Sequence, residues 1–266
     1  RFGLLNERHA HDLPQTDRPD ILVNFFGQEG LVESGLEVSW VAPLPVYLEA
    51  IAGVFDGDND VAFGKGSLRS PMITRRLRTF LELGQLGSLQ LGTSVATGET
   101  PQNLRNTFWG VDAKYKLWPE GWRHPLLTVG GEFLIAWNQT ETTSETQVAV
   151  DTDGDGTPDG TETVQTMTRR TRHPLGGYVW AEVQPWKQWA FGLRYDYATA
   201  NGDLYDAANG VFVPRAEDPF RDDRHRVSPL LVWHPSEFSR IRLQYNWDHA
   251  EHLVAGDAHS DRKSVV

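Results

Sequence analysis

The feature that most constrains the fold is a period of two in hydropathy that recurs along most of the chain. In "RIRLQYNWD", Ile241, Leu243, Tyr245 and Trp247 fall on one face, while Arg240, Arg242, Gln244, Asn246 and Asp248 fall on the other. "SLQLGTSV" from Ser88, "WGVDAKYKL" from Trp109 and the run Trp189 to Tyr197 read the same way, and "RRLRTFLEL" from Arg75 does so less cleanly. A helix cannot present such a pattern on one side, but a strand with one oily and one wet face does. Strands are expected near 35–42, 46–55, 75–83, 88–96, 105–117, 126–138, 174–184, 188–198, 226–234 and 239–248. Several match the ~9–11 residues that a tilted strand needs to cross a bilayer, against roughly five or six in a soluble sheet.

The connections alternate in length. "PLP" (43–45), "GQLG" (84–87), "PEGWRHP" (119–125), "PWK" (185–187) and "PSEF" (235–238) are short, whereas about 56–74, 97–104, 139–173, 199–225 and the stretch from 249 are long. An all-β, antiparallel up-and-down transmembrane β-barrel, tight turns on one side and long loops on the other, has this parity. Residues 1–266 are expected to form a single barrel domain, incomplete at both ends. "RFGLLNERHAHDLP" has neither a starting Met nor a signal-peptide pattern, and "SDRKSVV" stops inside an expected strand. Trp40, Trp118, Trp122, Trp137, Trp186, Trp189, Trp233 and Trp247 lie near strand ends or in tight turns, the positions of aromatic girdles at a membrane interface.

Composition narrows the function classes. A net charge of −11, with 36 acids against 25 bases, argues against a nucleic-acid groove, and the lack of cysteine excludes disulfides and thiolate metal sites. No apolar run reaches the ~18 residues of a transmembrane helix. No G-x-S-x-G, H-E-x-x-H or P-loop is present, and Ser236 beside His234 falls in a tight turn, so an enzyme is not expected.

"DTDGDGTPDGTE" places Asp151, Asp153, Asp155, Asp159 and Glu162 at the spacing of a calcium loop, with Gly156 at the sharp turn. Its flanks are rich in β-branched residues and Pro158 interrupts it, so a helix–loop–helix sensor is not expected; Ca2+ is expected as a structural ion ordering the 139–173 external loop, with a solvated acidic turn as the alternative reading. The segment resembles the DxDxDGxxD repeats of thrombospondin-type extracellular proteins. "DGDND" at Asp56, Asp58 and Asp60 reads as a polar turn. His9 with His11, and His249 with His252, are the dense histidine pairs; transition-metal ligation and plain solvent exposure remain alternative readings for both.

The opening run "RFGLLNERHAHDLPQTDRPDILVNFFGQEGLVESGLEVSWVAPLP", the hairpin "WHPSEFSRIRLQYN" and the approach "DHAEH...DAHSD" resemble Gram-negative outer-membrane barrels often labelled zinc-regulated TonB-dependent receptors, whose shape is closer to the phosphate-selective type of porin. The resemblance implies an outer-membrane β-barrel with further strands on either side. A TonB-dependent receptor also needs an N-terminal plug domain and a longer barrel, and nothing among these residues is expected to supply either.

Together these readings predict a porin-like channel for passive diffusion of small polar or ionic solutes, with Arg76, Arg78, Glu82, Lys114, Lys116, Arg194, Arg240 and Arg242 lining the pore. Asp112, Glu132, Asp196 and Asp248 share that wall. For each charge the alternative is an ion pair that only fills and stiffens the interior. The rival function is a structural outer-membrane scaffold that anchors or encloses partner proteins. A secreted, soluble calcium-binding β protein is the third. Expected partners are outer-membrane lipid and lipopolysaccharide, small polar solutes, and other proteins or further copies of the chain; nucleic acid is not among them.

Overall fold

A computed structural model describes residues 1–266 apart from 7, 151–159, 201–204, 207–210, 213–221, 252–256 and 266. Fourteen strands are described: β1 (Gly35–Val41), β2 (Tyr47–Phe55), β3 (Met72–Glu82), β4 (Ser88–Glu99), β5 (Arg105–Leu117), β6 (Leu127–Val150), β7 (Gly160–Arg172), β8 (Leu175–Trp186), β9 (Trp189–Ala198), β10 (Tyr205–Asp206), β11 (Val211–Phe212), β12 (Arg224–Ser236), β13 (Ser239–Ala250) and β14 (Asp257–Val265). Twelve form one antiparallel up-and-down sheet in the order β1-β2-β3-β4-β5-β6-β8-β9-β12-β13-β14, with β7 branching from β6, while β10 and β11 pair only with each other. Among the described residues β1 and β14 each have a free edge, and the sheet does not close.

The expected strands are present within a few residues of their limits, and the expected parity of the turns holds. Two regions differ. Residues 139–173, expected to be a long loop, are largely a ribbon: β6 continues to Val150 and pairs with β7 from Asn138↔Arg172 to Val150↔Gly160, while β8 takes over the sheet edge of β6 at Leu127–Ile135. The ribbon was hidden from a hydropathy reading because its threonines, glutamines and glutamates face water on both sides and leave no alternation. The sequence of β14, "DAHSDRKSV", likewise offers no alternating apolar residues.

Residues 1–34 are the other difference. They form no strand, but contain a single turn of 3-10 helix (Ala10–Asp12) and a short helix, α1 (Asp20–Phe26). Pro19 enters α1 with its fixed φ, and Gly27 leaves it at φ +77°. Arg18 folds the segment on itself by donating to the carbonyls of Leu5, Asn6, Arg8 and Gln28, and the Asn6 side chain closes the loop with two bonds to the backbone of Leu31.

This segment shows that the sheet is curled. The amino group of Arg1 contacts Glu37 in β1, and the carbonyl of His11 accepts from Arg240 in β13. Ten residues reach ~34 Å at full extension, and these are well short of it, being bent at residues 3–6 and coiled into the 3-10 turn from Ala10. In a flat sheet β1 and β13 would lie ~43 Å apart, nine strand spacings. Residues 1–34 therefore sit on a concave face.

Candidate functional site: a filled concave face

Alternation along each strand divides the charged residues from the apolar ones. Leu36, Val38 and Trp40 of β1, Leu77 of β3, Val111 of β5, Val179 of β8, Phe191, Leu193 and Tyr195 of β9, and Leu243, Tyr245 and Trp247 of β13 are exposed on the convex side. Their alternating neighbours Arg76, Asp112, Glu132, Arg194, Asp196, Arg242, Gln244, Asn246 and Asp248 are buried on the concave side. All eight tryptophans expected at strand ends are exposed, and Trp189 stacks on Trp233 with centroids 5.9 Å apart. A soluble domain has the opposite arrangement.

Three layers fill the concave face. One is apolar: Phe2, Leu5, Ile21, Leu22, Phe25 and Phe26 of the segment pack against Phe63, Phe108, Leu134, Ala136, Tyr178 and Trp180. Phe108 is the hub, 5.3, 5.0 and 5.6 Å from the rings of Phe25, Phe26 and Phe63. Gly3, at φ +70°, threads between β4 and β6, donating to Ser94 Oγ at 3.1 Å while its α-carbon faces the Glu132 carboxylate where a Cβ would collide.

The next layer is ionic. Arg194, fully buried, donates to Asp196 at 2.6 Å and to the side chain and carbonyl of Asp17 at 3.0 Å each. Arg226 reaches Asp20 at 2.7 Å, Asp248 at 2.7 and 3.1 Å, and Asp17 at 3.4 Å. Gln244 and Asn246 give Asp17 two more donors, at 2.7 and 3.0 Å. Four carboxylates thus share two guanidinium groups, and Asp20 Oδ2 is buried without a hydrogen-bond partner. Burial, with Asp196 and Asp248 nearby, pushes Asp20 up to about 7 against the pull of Arg226. On the far side of the apolar layer, Arg76 pairs with Asp112 at 2.9 Å and donates to Ser94 at 2.7 Å, and Tyr178 donates to Glu132 at 2.8 Å. Arg78 pairs with Glu49.

The last layer is a basic basin at the tight-turn end. Lys114 of β5 lies within electrostatic reach of Lys116, Arg8 and Glu182. Arg242 spends its hydrogen bonds on the carbonyls of Leu13 and Gln15 at 2.7 and 2.8 Å, and Arg8 donates to the carbonyl of Asp12 at 3.3 Å. A cavity of about 570 Å³ opens here, lined in part by Arg8, His11, Asp12, His234, Glu237 and Arg240. Among the described residues the Lys114 and Lys116 ammonium groups make no hydrogen bond or ion pair. Anionic or strongly polar solutes suit such a basin.

The residues expected to line a pore therefore separate into two sets. Arg76, Arg194 and Arg242 are dry and engaged, whereas Lys114, Lys116, Arg240, Arg78 and Glu82 are partly open. Residues 1–34, for which no element was expected, fill the concave face, and their sequence signal is the apolar run "ILVNFF" between Pro19 and Gly27.

Of the calcium-type residues, Asp151, Asp153, Asp155 and Asp159 lie outside the described residues. Glu162 is exposed in β7, paired with Val148. The DGDND turn gains a partner from elsewhere: Glu33 lies with Asp56 and Asp58, one carboxylate oxygen of each within 4.8 Å. Glu33 accepts the amides of Asp58 and Asn59 at 2.8 and 3.1 Å, and burial beside the two aspartates pushes it up to about 7. His9 and His11 stack 5.6 Å apart, His249 is exposed in β13, and His252 lies outside the described residues.

No protein-family model matches the chain. The chain is similar to an uncharacterized protein of Aquifex aeolicus (strain VF5), 29% identical over 276 residues that take in 94% of this chain and 52% of that protein. It thus spans about half the length of the relative it matches.

Proposed function

We propose that the curled sheet is the wall of an outer-membrane β-barrel, with lipid against its convex face, and that the protein is a porin-like channel for passive diffusion of small polar or ionic solutes. The observation that carries this reading is the inverted distribution of side chains: Leu, Val, Phe and Trp face outward along strand after strand, while ionic groups face inward. Closure would join the free edges of β1 and β14, directly or through further strands. Solutes would pass beside the segment 1–34, selected by size and by the field of the basic basin, with no covalent chemistry. Calcium, in this reading, orders the tip of the β6–β7 ribbon and takes no part in conduction.

The filled concave face favours a second reading, a structural barrel that anchors or encloses partner proteins or lipopolysaccharide. Single-channel recording of the full-length protein in planar bilayers separates the two. Steady ohmic steps, whose anion-over-cation preference falls in Lys114→Gln/Lys116→Gln, support the channel. A folded, inserted protein that does not conduct supports the scaffold. Recovery of folded protein in buffer without detergent would overturn both.

A further inference from the structure

One cation interrupts the apolar side of the sheet. In β3 the exposed Ile73, Arg75 and Leu77 alternate with the buried Met72, Thr74 and Arg76, so Arg75 stands on the convex face. Its partners in register are Ala52 of β2 and Val95 of β4, and the same row continues to Val38 of β1 and Trp109 of β5. Across β1–β5, β8, β9, β12 and β13, no other Lys, Arg, Asp or Glu lies on that face away from a strand end. Among the described residues the Arg75 guanidinium makes no hydrogen bond or ion pair.

The wall beside it is dented. An open cavity of about 460 Å³ lies against Arg75, Trp40, Ala50, Ala52, Leu77 and Val95. Ala50 and Ala52, in register with Trp40 and Val38, are too short to fill it. Four residues beyond Val95, at the long-loop rim, Glu99 is shared by Lys65 at 2.8 Å and Arg105 at 3.2 Å, two cations on one carboxylate. A guanidinium on an apolar wall is most stable with its aliphatic stem on that wall and its head against an anion. Phosphate is the anion that its fork matches with two parallel N–H···O bonds. Arg75 lies three residues, ~10 Å along the strand, inside the long-loop end of β3, close enough to that rim for its head to meet a lipid headgroup while the chains below lie along the dent. Charge and shape are thus those of a phosphorylated lipid.

We infer that Arg75 and the dent beside it hold one molecule of lipopolysaccharide, with a lipid phosphate on the guanidinium and an acyl chain against Ala50 and Ala52. The inference rests on the proposed membrane reading of the convex face, in which the long-loop end of an outer-membrane barrel meets the outer leaflet.

The test is native mass spectrometry of the full-length protein folded in detergent, titrated with lipid A, with dephosphorylated lipid A and with phosphatidylglycerol. Tight retention of one lipid A per chain is expected. The dephosphorylated lipid should bind roughly 10-fold more weakly or worse, the scale of a lost hydrogen bond between charged groups, and Arg75→Gln should lose as much of the affinity for lipid A. Ala52→Phe, which fills the dent and keeps the charge, should weaken both forms of lipid A alike. Lipid A binding to Arg75→Gln within about twofold of wild type overturns the inference, as does equal binding of the dephosphorylated lipid. Phosphatidylglycerol held as tightly as lipid A overturns the choice of lipopolysaccharide, and a dimer of the protein that dissociates in Arg75→Gln would give the face to a second copy instead. Should Arg75→Gln fold poorly, the comparison of the two lipid A forms on the wild type decides alone. Folding in buffer without detergent overturns the membrane reading itself, whereas insertion into phosphatidylcholine vesicles with no preference for lipid A overturns this inference alone.

Discussion

Replacing Arg194 with Met tests whether the ionic layer is as dry as its burial implies. The side chain is fully buried and makes three bonds, to Asp196 Oδ2, Asp17 Oδ1 and the Asp17 carbonyl, so the exchange keeps most of the length and removes the charge. Breaking a buried pair by removing one partner costs about 3–5 kcal/mol, because the other charge is left uncompensated. The structure says where that cost falls. Asp17 would keep Gln244, Asn246 and Arg226, whereas Asp196 would keep, among the described contacts, only the Asp20 amide at 3.2 Å. Arg194→Met/Asp196→Asn should therefore recover most of the loss, and Arg194→Met/Asp17→Asn much less. Native-state hydrogen exchange of the amides in 17–26 reads the release of the segment directly: a loss of ~3–5 kcal/mol speeds exchange by roughly two to nearly four orders of magnitude. Exchange within about fivefold of wild type in Arg194→Met, or better rescue by Asp17→Asn, would refute the reasoning.

Phe108→Ala removes the ring that Phe25, Phe26 and Phe63 surround, and is expected to lower stability to equilibrium unfolding by about 3–5 kcal/mol, the cost of emptying a large aromatic site. Leu193→Arg, mid-strand on the convex face, should cost about 2–4 kcal/mol on refolding into lipid vesicles if that face meets hydrocarbon, but under ~0.5 kcal/mol if it meets water. Docking of α1 should depend on pH through Asp20. Its carboxyl is raised from 3.8 to about 7, so the docked form holds a proton that the free segment has lost. Docking is then firmest below about pH 4 and weakens as pH rises to about 7, by up to ~4 kcal/mol, after which it levels off. Asp20→Asn should flatten the slope, measured as α1 amide exchange corrected for the intrinsic rate.

The strands were legible because each has an apolar face and a charged one, and a period of two survives whichever face looks outward. β5 was placed at 105–117 and lies at Arg105–Leu117. What hydropathy could not convey was the fate of the charged face. Arg194 and Asp17 are 177 residues apart, and nothing local to either announces that they meet. Residues 1–34 stayed hidden because α1, at seven residues, is shorter than the windows in which helical periodicity emerges. The inner wall was expected to carry both signs, whereas the separation of Lys114 and Lys116 from Arg76 and Arg194 depends on where the segment lies. The carboxylate trio was half visible, as Asp56 and Asp58; Glu33 joins it only through the β1–β2 pairing that brings Gly35 opposite Phe55.

The β6–β7 ladder runs on for twelve residues beyond Asn138↔Arg172, ~40 Å along its length, before reaching Val150↔Gly160. Salt attenuates electrostatic influence within ~8 Å under physiological conditions. Glu162, two rungs short of that end, is thus deaf to the lysines of the basin, and the two ends of the sheet can change their charge independently.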